Sequence, residues 1–133
     1  MADKVFVLDT SALMAFIEKE DGAERARDVI LNEQILIPWL SILEVVYISR
    51  RELGEGEAMT RYAMLKRLNA KILWDADEAV LLTAARLKAS NRLSLADSVI
   101  AAFTIQNKAT LLHKDPAYDA LVGQVEMEAL PYK

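Results

Sequence analysis

Lys4-Val-Phe-Val-Leu8 runs directly into Asp9-Thr-Ser-Ala-Leu13. Val5 to Leu8 is apolar at every position, so both faces of an extended segment would be apolar, as in a strand covered on two sides. The run stops at a carboxylate, and Thr10 or Ser11 is expected to cap a helix through Ala12-Leu-Met-Ala-Phe-Ile17. A buried strand feeding straight into a helix is the opening of a βαβ unit, and the rest of the chain repeats that alternation.

Asp21 and Gly22 break the first helix and open a second over roughly 23–32. Gln34-Ile-Leu-Ile-Pro38 is a second apolar run, ended by proline. Trp39 to Glu52 has helical spacing, with Leu40, Leu43 and Tyr47 apolar, until Gly54 and Gly56 interrupt it. Glu57 to Leu68 is a further helix, with Met59, Tyr62, Ala63 and Leu65 available for burial. Lys71-Ile-Leu-Trp74 reads as a third strand, and Asp75 or Asp77 can cap a helix through Ala89. Ser94-Leu-Ala-Asp97 is a capping box with Asp in the place of Glu. The helix it opens runs to about Gln106, with Ala96, Val99, Ile100 and Phe103 on one face. Ala109-Thr-Leu-Leu-His113 is a fourth strand, Pro116 to Leu121 makes one or two helical turns, and Gln124 to Leu130 alternates weakly as a fifth strand. Strands alternating with helices predict an α/β sandwich with a mostly parallel sheet. The 133 residues hold no repeat and no low-complexity stretch, and four glycines and three prolines leave no linker, so one domain over 1–133 is expected.

Composition narrows the chemistry. With no cysteine there is no disulfide, thiolate zinc site or cysteine nucleophile. The single histidine, His113, excludes a two-histidine zinc motif and would have to serve any Ser-His-Asp triad alone. No apolar run approaches the roughly 20 residues of a membrane span. Met1-Ala-Asp-Lys4 leads directly into the first strand, leaving no room for a secretory signal, so a cytoplasmic protein is expected. The net charge is −4, which argues against a passive nucleic-acid coat. The charge is uneven: residues 1–33 carry eight acids and four bases, and residues 50–71 carry six bases and three acids. An acidic pocket can therefore sit beside a basic patch.

In an open parallel sheet, ligands bind beyond the carboxyl ends of the strands. Asp9 directly follows the first strand, Asp115 lies two residues after the fourth, and Asp97 sits in the first turn of the helix leading to the fourth. Glu44 lies inside the third helix, with apolar neighbours at Leu40, Leu43, Val45 and Val46. Each has a plainer reading: Asp9 as a helix cap, Asp97 as the partner of Ser94, Asp115 before Pro116 as a turn initiator, and Glu44 as a helix-surface acid. Their joint fall on one sheet edge favours a site. Several carboxylates in one cleft stay ionised together only around a cation. An all-oxygen set selects a hard ion, Mg²⁺ or Mn²⁺. Such an ion activates water and lets an acidic cleft accept a phosphodiester.

These segments resemble the motifs of PIN-domain ribonucleases. Val5-Phe-Val-Leu-Asp9-Thr-Ser-Ala-Leu13 looks like their opening motif, and Ser41-Ile-Leu-Glu44-Val45 resembles the second, with a hydroxyl three residues before the acid. Leu95-Ala-Asp97-Ser-Val-Ile-Ala-Ala102 resembles the third, and Thr110-Leu-Leu-His-Lys-Asp115 followed by Tyr118 resembles the fourth. Order and spacing agree over nearly the whole chain. Glu24-Arg25-Ala26-Arg27 is a frequent feature of small toxin-like members, and the size is that of VapC-type toxins of toxin–antitoxin pairs.

The resemblance implies a three-layer α/β/α sandwich with five parallel strands, Mg²⁺- or Mn²⁺-dependent cleavage of RNA, homodimers and inhibition by a small antitoxin protein. It implies Asp9, Glu44, Asp97 and Asp115 as the catalytic and metal-binding constellation. Thr10 or Ser11 would add a hydroxyl, and Ser41 and Asp119 would stand in support. Two positions depart from the pattern. His113 stands where Thr or Ser is usual, and Ala117 stands where a second acid often follows, a loss for which Asp119 would compensate.

Outside the motifs, Arg51 falls at i+7 from Glu44 on the same helix face, where it would hold RNA phosphate or a partner's acid. Arg50 beside it, and Arg86, Lys88 and Arg92, read either as an RNA track or as solvated faces. Trp39 and Trp74 flank strands and are expected in the core or a dimer interface. Two other readings stay open. A PIN fold kept only for binding draws on His113 and Ala117. A phosphoacceptor receiver domain would use Asp9, Asp75 and Lys114, but Thr10 and Ser11 stand where a receiver needs a second acid, and two helices precede the third strand.

Overall fold

The computed structural model describes residues 4–132. Five strands form one sheet: β1 (Val5–Leu8), β2 (Gln34–Pro38), β3 (Lys71–Leu73), β4 (Thr110–His113) and β5 (Met127–Ala129). Their order is β3-β2-β1-β4-β5, and every pairing is parallel. Six helices, α1 (Thr10–Glu18), α2 (Ala23–Asn32), α3 (Trp39–Leu53), α4 (Glu55–Arg67), α5 (Glu78–Ser90) and α6 (Leu95–Gln106), and one 3₁₀ turn (Pro116–Leu121) complete the fold. Among the described residues, no helix is long and apolar enough to cross a membrane.

The continuous apolar run of β1 is read out on two faces. Phe6 and Leu8 pack with Ala12, Leu13, Val29, Ile42 and Leu65, so α1 to α4 cover one side of the sheet. Val7 packs with Leu87, Ile100, Ala101 and Leu111, which puts α5 and α6 on the other. Ile35 and Ile37 against Leu36 of β2, and Leu112 against Leu111 of β4, follow the same alternation. The predicted three-layer sandwich with a parallel sheet is therefore the observed one.

The chain builds outward from β1 to β2 and β3, then crosses back through α5 and α6 to enter β4 on the other flank of β1. The order reverses between β1 and β4. The two strands part there in opposite connections and leave a crevice beyond their carboxyl ends.

Several expected details differ. The α1 cap is Asp9, whose side chain accepts from the Ala12 N–H, and the helix takes in Thr10 and Ser11. Of the two glycines near residue 55, only Gly54 separates helices, with φ of 94°, while Gly56 lies in the first turn of α4. In α4, Ala58 and Leu65 are buried and Met59 and Ala63 are exposed, because α4 lies over α3 with a different stripe inward. The third strand ends at Leu73, and Trp74 just beyond it is 56% exposed rather than core. Trp39 does pack, against the Val80, Ala84, Ala102 and Phe103 cluster.

Candidate active site

Asp9 leaves β1 at the switch point and is 2% exposed. Its Oδ1 accepts from the Ala12 N–H at 2.9 Å and from the Ser11 hydroxyl at 2.8 Å, with the same hydroxyl 2.9 Å from Oδ2. The Ser11 oxygen in turn accepts the Lys114 N–H at 2.7 Å, tying the end of β4 to the start of α1. Burial is the main force on the Asp9 carboxyl and pushes its pKa up to about 7. The Ala12 and Ser11 hydrogen bonds work against that rise, and the charges of Asp97 and Asp115 add to it. Among the described residues, Asp9 forms no ion pair with a lysine or arginine.

Asp97 stands in the first turn of α6. Its backbone N–H donates to the Ser94 hydroxyl at 3.1 Å, so the cap forms as expected. Its carboxylate accepts the Tyr118 hydroxyl on Oδ1 at 3.1 Å. Its pKa is raised, first by burial, then by Asp115 and Glu44, against the hydrogen bonds from Tyr118 and Ser94. Asp115 caps the 3₁₀ turn through Oδ1, which accepts the Ala117 N–H at 2.9 Å. Glu44 accepts the Thr10 hydroxyl on Oε1 at 2.5 Å, joining α3 to α1. Asp97 and Asp115 act on Asp9, and Asp115 and Glu44 act on Asp97, so the crossover links the four predicted acids pairwise along one rim.

The supporting residues divide. Thr10 and Ser11 both engage the acids, one on Glu44 and one on Asp9. Ser41 is fully buried and donates to the Leu8 carbonyl at 3.0 Å, where it pins α3 to the end of β1 and does not face the rim. Asp119 accepts the Tyr132 hydroxyl at 2.7 Å and, with Asp115, acts on His113. Arg51 lies over the Tyr47 ring at 5.5 Å and near Glu52 at 3.9 Å. Seven residues on a helix amount to about 10 Å of rise, which carries it past Glu44. Arg50 pairs with Glu55 at 3.0 Å.

His113 is 1% exposed and its Nδ1 accepts the Asp115 N–H at 3.1 Å. It is a satisfied core histidine: its ring lies against Tyr118 at 4.8 Å, and burial lowers its pKa. Sequence reasoning gave Lys114 a role only in the receiver-domain reading. Its Nζ reaches Glu20 at 3.3 Å and the Asp21 carbonyl at 3.0 Å, holding the α1–α2 loop to β4. Its adjacency to Asp115 was the available signal. The Tyr118 contact with Asp97 spans 21 residues and had no local signal.

The donor set suits a hard divalent ion by chemistry: it is all oxygen, and the Thr10, Tyr118 and Ala117 donors that hold Glu44, Asp97 and Asp115 are neutral groups that leave their negative charge in place. As the side chains lie, no three His, Asp or Glu among the described residues are drawn together in a geometry that encloses an ion. A hollow of about 900 Å³ lies elsewhere, lined by Phe16, Ile17, Arg27, Met64 and Pro131. It contains none of these acids.

The sequence matches the family model of the PIN domain over residues 6–123. No curated protein matches the chain in sequence. Among solved structures, VapBC2 from Rickettsia felis, bound to a DNA fragment from its promoter, is similar with a TM-score of 0.77 at 15% identity over 96% of this chain and 99% of that one. VapC20 from Mycobacterium tuberculosis, a sarcin-ricin loop cleaving toxin, is similar with a TM-score of 0.74 at 14% identity over 95% and 99%. VapBC-1 from nontypeable Haemophilus influenzae is similar with a TM-score of 0.72 at 15% identity over 94% and 97%.

Proposed function

This chain belongs to the PIN-domain family, and from that premise we propose that it is a metal-dependent endoribonuclease, the toxin of a toxin–antitoxin pair, acting as one domain. The observation that carries the reading is Asp9, a carboxylate 2% exposed in the field of Asp97 and Asp115, with no ion pair among the described residues and a pKa pushed up to about 7. A divalent cation supplies the charge that this environment lacks. The toxin assignment draws on the likeness to VapBC complexes, and RNA as substrate draws on the likeness to a sarcin-ricin loop cleaving toxin. A small antitoxin and a second copy of the chain are the partners this reading carries.

Asp9, Asp97 and Asp115 would hold Mg²⁺ or Mn²⁺, with Glu44 as a further ligand or as the group that orients water. The bound ion supplies Lewis acidity toward the phosphodiester and its attacking water. Glu44, kept in place by the Thr10 hydroxyl, takes the proton of the attacking water as general base. Attack on phosphorus breaks the bond to the 3′ oxygen, which leaves a 5′-phosphate and a 3′-hydroxyl. Ser11 holds Asp9 and the end of β4 in register, so the first and fourth acids move together.

The test uses purified protein freed of any partner, incubated with structured RNAs in Mn²⁺ or in EDTA beside Asp97→Asn. Cuts that need Mn²⁺ and are absent from the variant are expected. Unchanged cutting by the variant overturns the assignment. A second reading, a PIN fold that binds without cutting, rests on Ala117 and on a buried His113 that offers no hydroxyl to the rim. Absence of Mn²⁺ uptake in a calorimetric titration at millimolar metal favours it.

A further inference from the structure

Tyr118 is the largest fully buried side chain in the protein, yet its hydroxyl emerges at the carboxylate rim. The 3₁₀ turn that carries it begins at Asp115, and the Tyr118 N–H donates to the Asp115 carbonyl at 3.1 Å. Its hydroxyl reaches across to α6 and donates to Asp97 Oδ1 at 3.1 Å. His113 packs against the ring, with centroids 4.8 Å apart, and fixes its azimuth.

We propose that Tyr118 is a positioning residue that joins the third and fourth acids into one rigid unit, its hydroxyl occupying Asp97 Oδ1 so that Oδ2 is presented to the rim. The inference rests on the metal-site reading given above. A neutral donor suits this place better than a cation. It orients the carboxylate without cancelling the negative charge that an ion requires, as partners of metal-ligating groups generally do. It also gives the fourth motif a second tie to the rim, where Ala117 supplies no acid.

Tyr118→Phe deletes the hydroxyl and keeps the ring that fills the core. Tyr132→Phe is the matched control, because it deletes a hydroxyl that serves Asp119 outside the four acids. Mn²⁺ affinity, read by titration calorimetry and by the loss of the free-ion paramagnetic resonance signal, is expected to fall about tenfold or more in Tyr118→Phe and to stay unchanged in Tyr132→Phe. Cleavage by Tyr118→Phe should recover as Mn²⁺ is raised, which a variant that had merely lost packing would not show. Equal Mn²⁺ affinity in Tyr118→Phe and the parent protein overturns the proposal and leaves the nuclease reading intact. No Mn²⁺ uptake by the parent protein overturns both. Should Tyr118→Phe fold poorly, Tyr118→His, which keeps a ring nitrogen near Asp97, provides the second arm. Binding by that variant no stronger than by an Asp97→Asn protein sinks the positioning role.

Discussion

Two groups of acids in this molecule sit in opposite electrical circumstances. On the outer side of the sheet, Glu128 of β5 receives a forked pair of hydrogen bonds from Arg25 at 2.6 and 2.9 Å, and Asp28 takes a third at 2.7 Å. That guanidinium lowers the Glu128 pKa. At the rim between β1 and β4, Asp9 and Asp97 are more deeply buried and their pKa values are raised. Both clusters are made of the same side chains on the same scaffold. The difference is a resident cation. Where the chain supplies one, the acids are a strut; where no ion pair forms among the described residues, burial and like charge push the carboxyls toward their neutral form.

The largest effect should come from removing the charge of Asp9. Asp9→Asn keeps a competent helix cap but removes the most buried acid of the rim. RNA cleavage is expected to fall by at least about 100-fold, of the order seen when a key group of a catalytic constellation is lost. Thermal stability of the metal-free protein at pH 8 should rise. A variant that loses both activity and stability would show that Asp9 matters as a cap and not as a charge.

The next effect is a pH dependence of opposite sign in the two clusters. Between the unfolded value near 4 and the folded value of about 7, the unfolded chain has released the Asp9 proton while the native chain retains it. Stability of the metal-free protein therefore falls as pH rises through that window, by a few kcal/mol at most, and is level above it. The Glu128 contribution runs the other way: it is present above the unfolded pKa and is lost as pH falls through the lowered folded one. Urea denaturation from pH 4 to 8 in EDTA should show the falling limb, and Asp9→Asn should flatten it. A parent protein whose stability stays level from pH 5 to 7 contradicts the raised Asp9 pKa.

Supplying the cation should erase the contrast. Saturating Mn²⁺ at about 100 times its dissociation constant is expected to stabilise the protein by about 2.7 kcal/mol, read as a rise in melting temperature that EDTA reverses. The gain should grow from pH 5 to pH 8, because the ion competes with the proton on Asp9. A rise that persists undiminished in Asp9→Asn would place the ion elsewhere.

How much of this was legible beforehand depended on how far each interaction reaches along the chain. Asp9 and Asp115 were readable because they follow their strands within one or two residues, and a strand end is a local signal. Asp97 was readable through Ser94, whose capping bond spans three residues. The cap of α1 was left among Asp9, Thr10 and Ser11, since all three carry capping oxygens and only the backbone path out of β1 selects Asp9. Ser41 was placed at the rim because its distance from Glu44 suits a motif; its true acceptor, the Leu8 carbonyl, is 33 residues away and invisible to local pattern. For Arg51, the seven-residue spacing preserves the helix face but also advances about 10 Å along the axis, so its distance from Glu44 was not legible from the face alone. Trp74 lies past the end of the edge strand β3, where no neighbouring strand continues to cover it.

The smallest effect is expected from breaking the cluster that already has its cation. Glu128→Gln removes a charge held in a forked geometry, so the loss should exceed that of a casual surface pair. Yet the Arg25 and Glu128 side chains are 42% and 33% exposed, and solvent screens what they gain. Arg25 also keeps Asp28 at 2.7 Å as an alternative partner. Together these limit the expected destabilisation to below about 1 kcal/mol at pH 7, falling further in 1 M salt, with Mn²⁺ affinity and cleavage unchanged. Chemical denaturation in low and high salt measures the first, and the calorimetric titration used for the rim measures the second. A Glu128→Gln protein that lost Mn²⁺ affinity would mean that the two clusters communicate through β5 and β4. The division between a strut that is electrically complete and a rim that is not would then have to be abandoned.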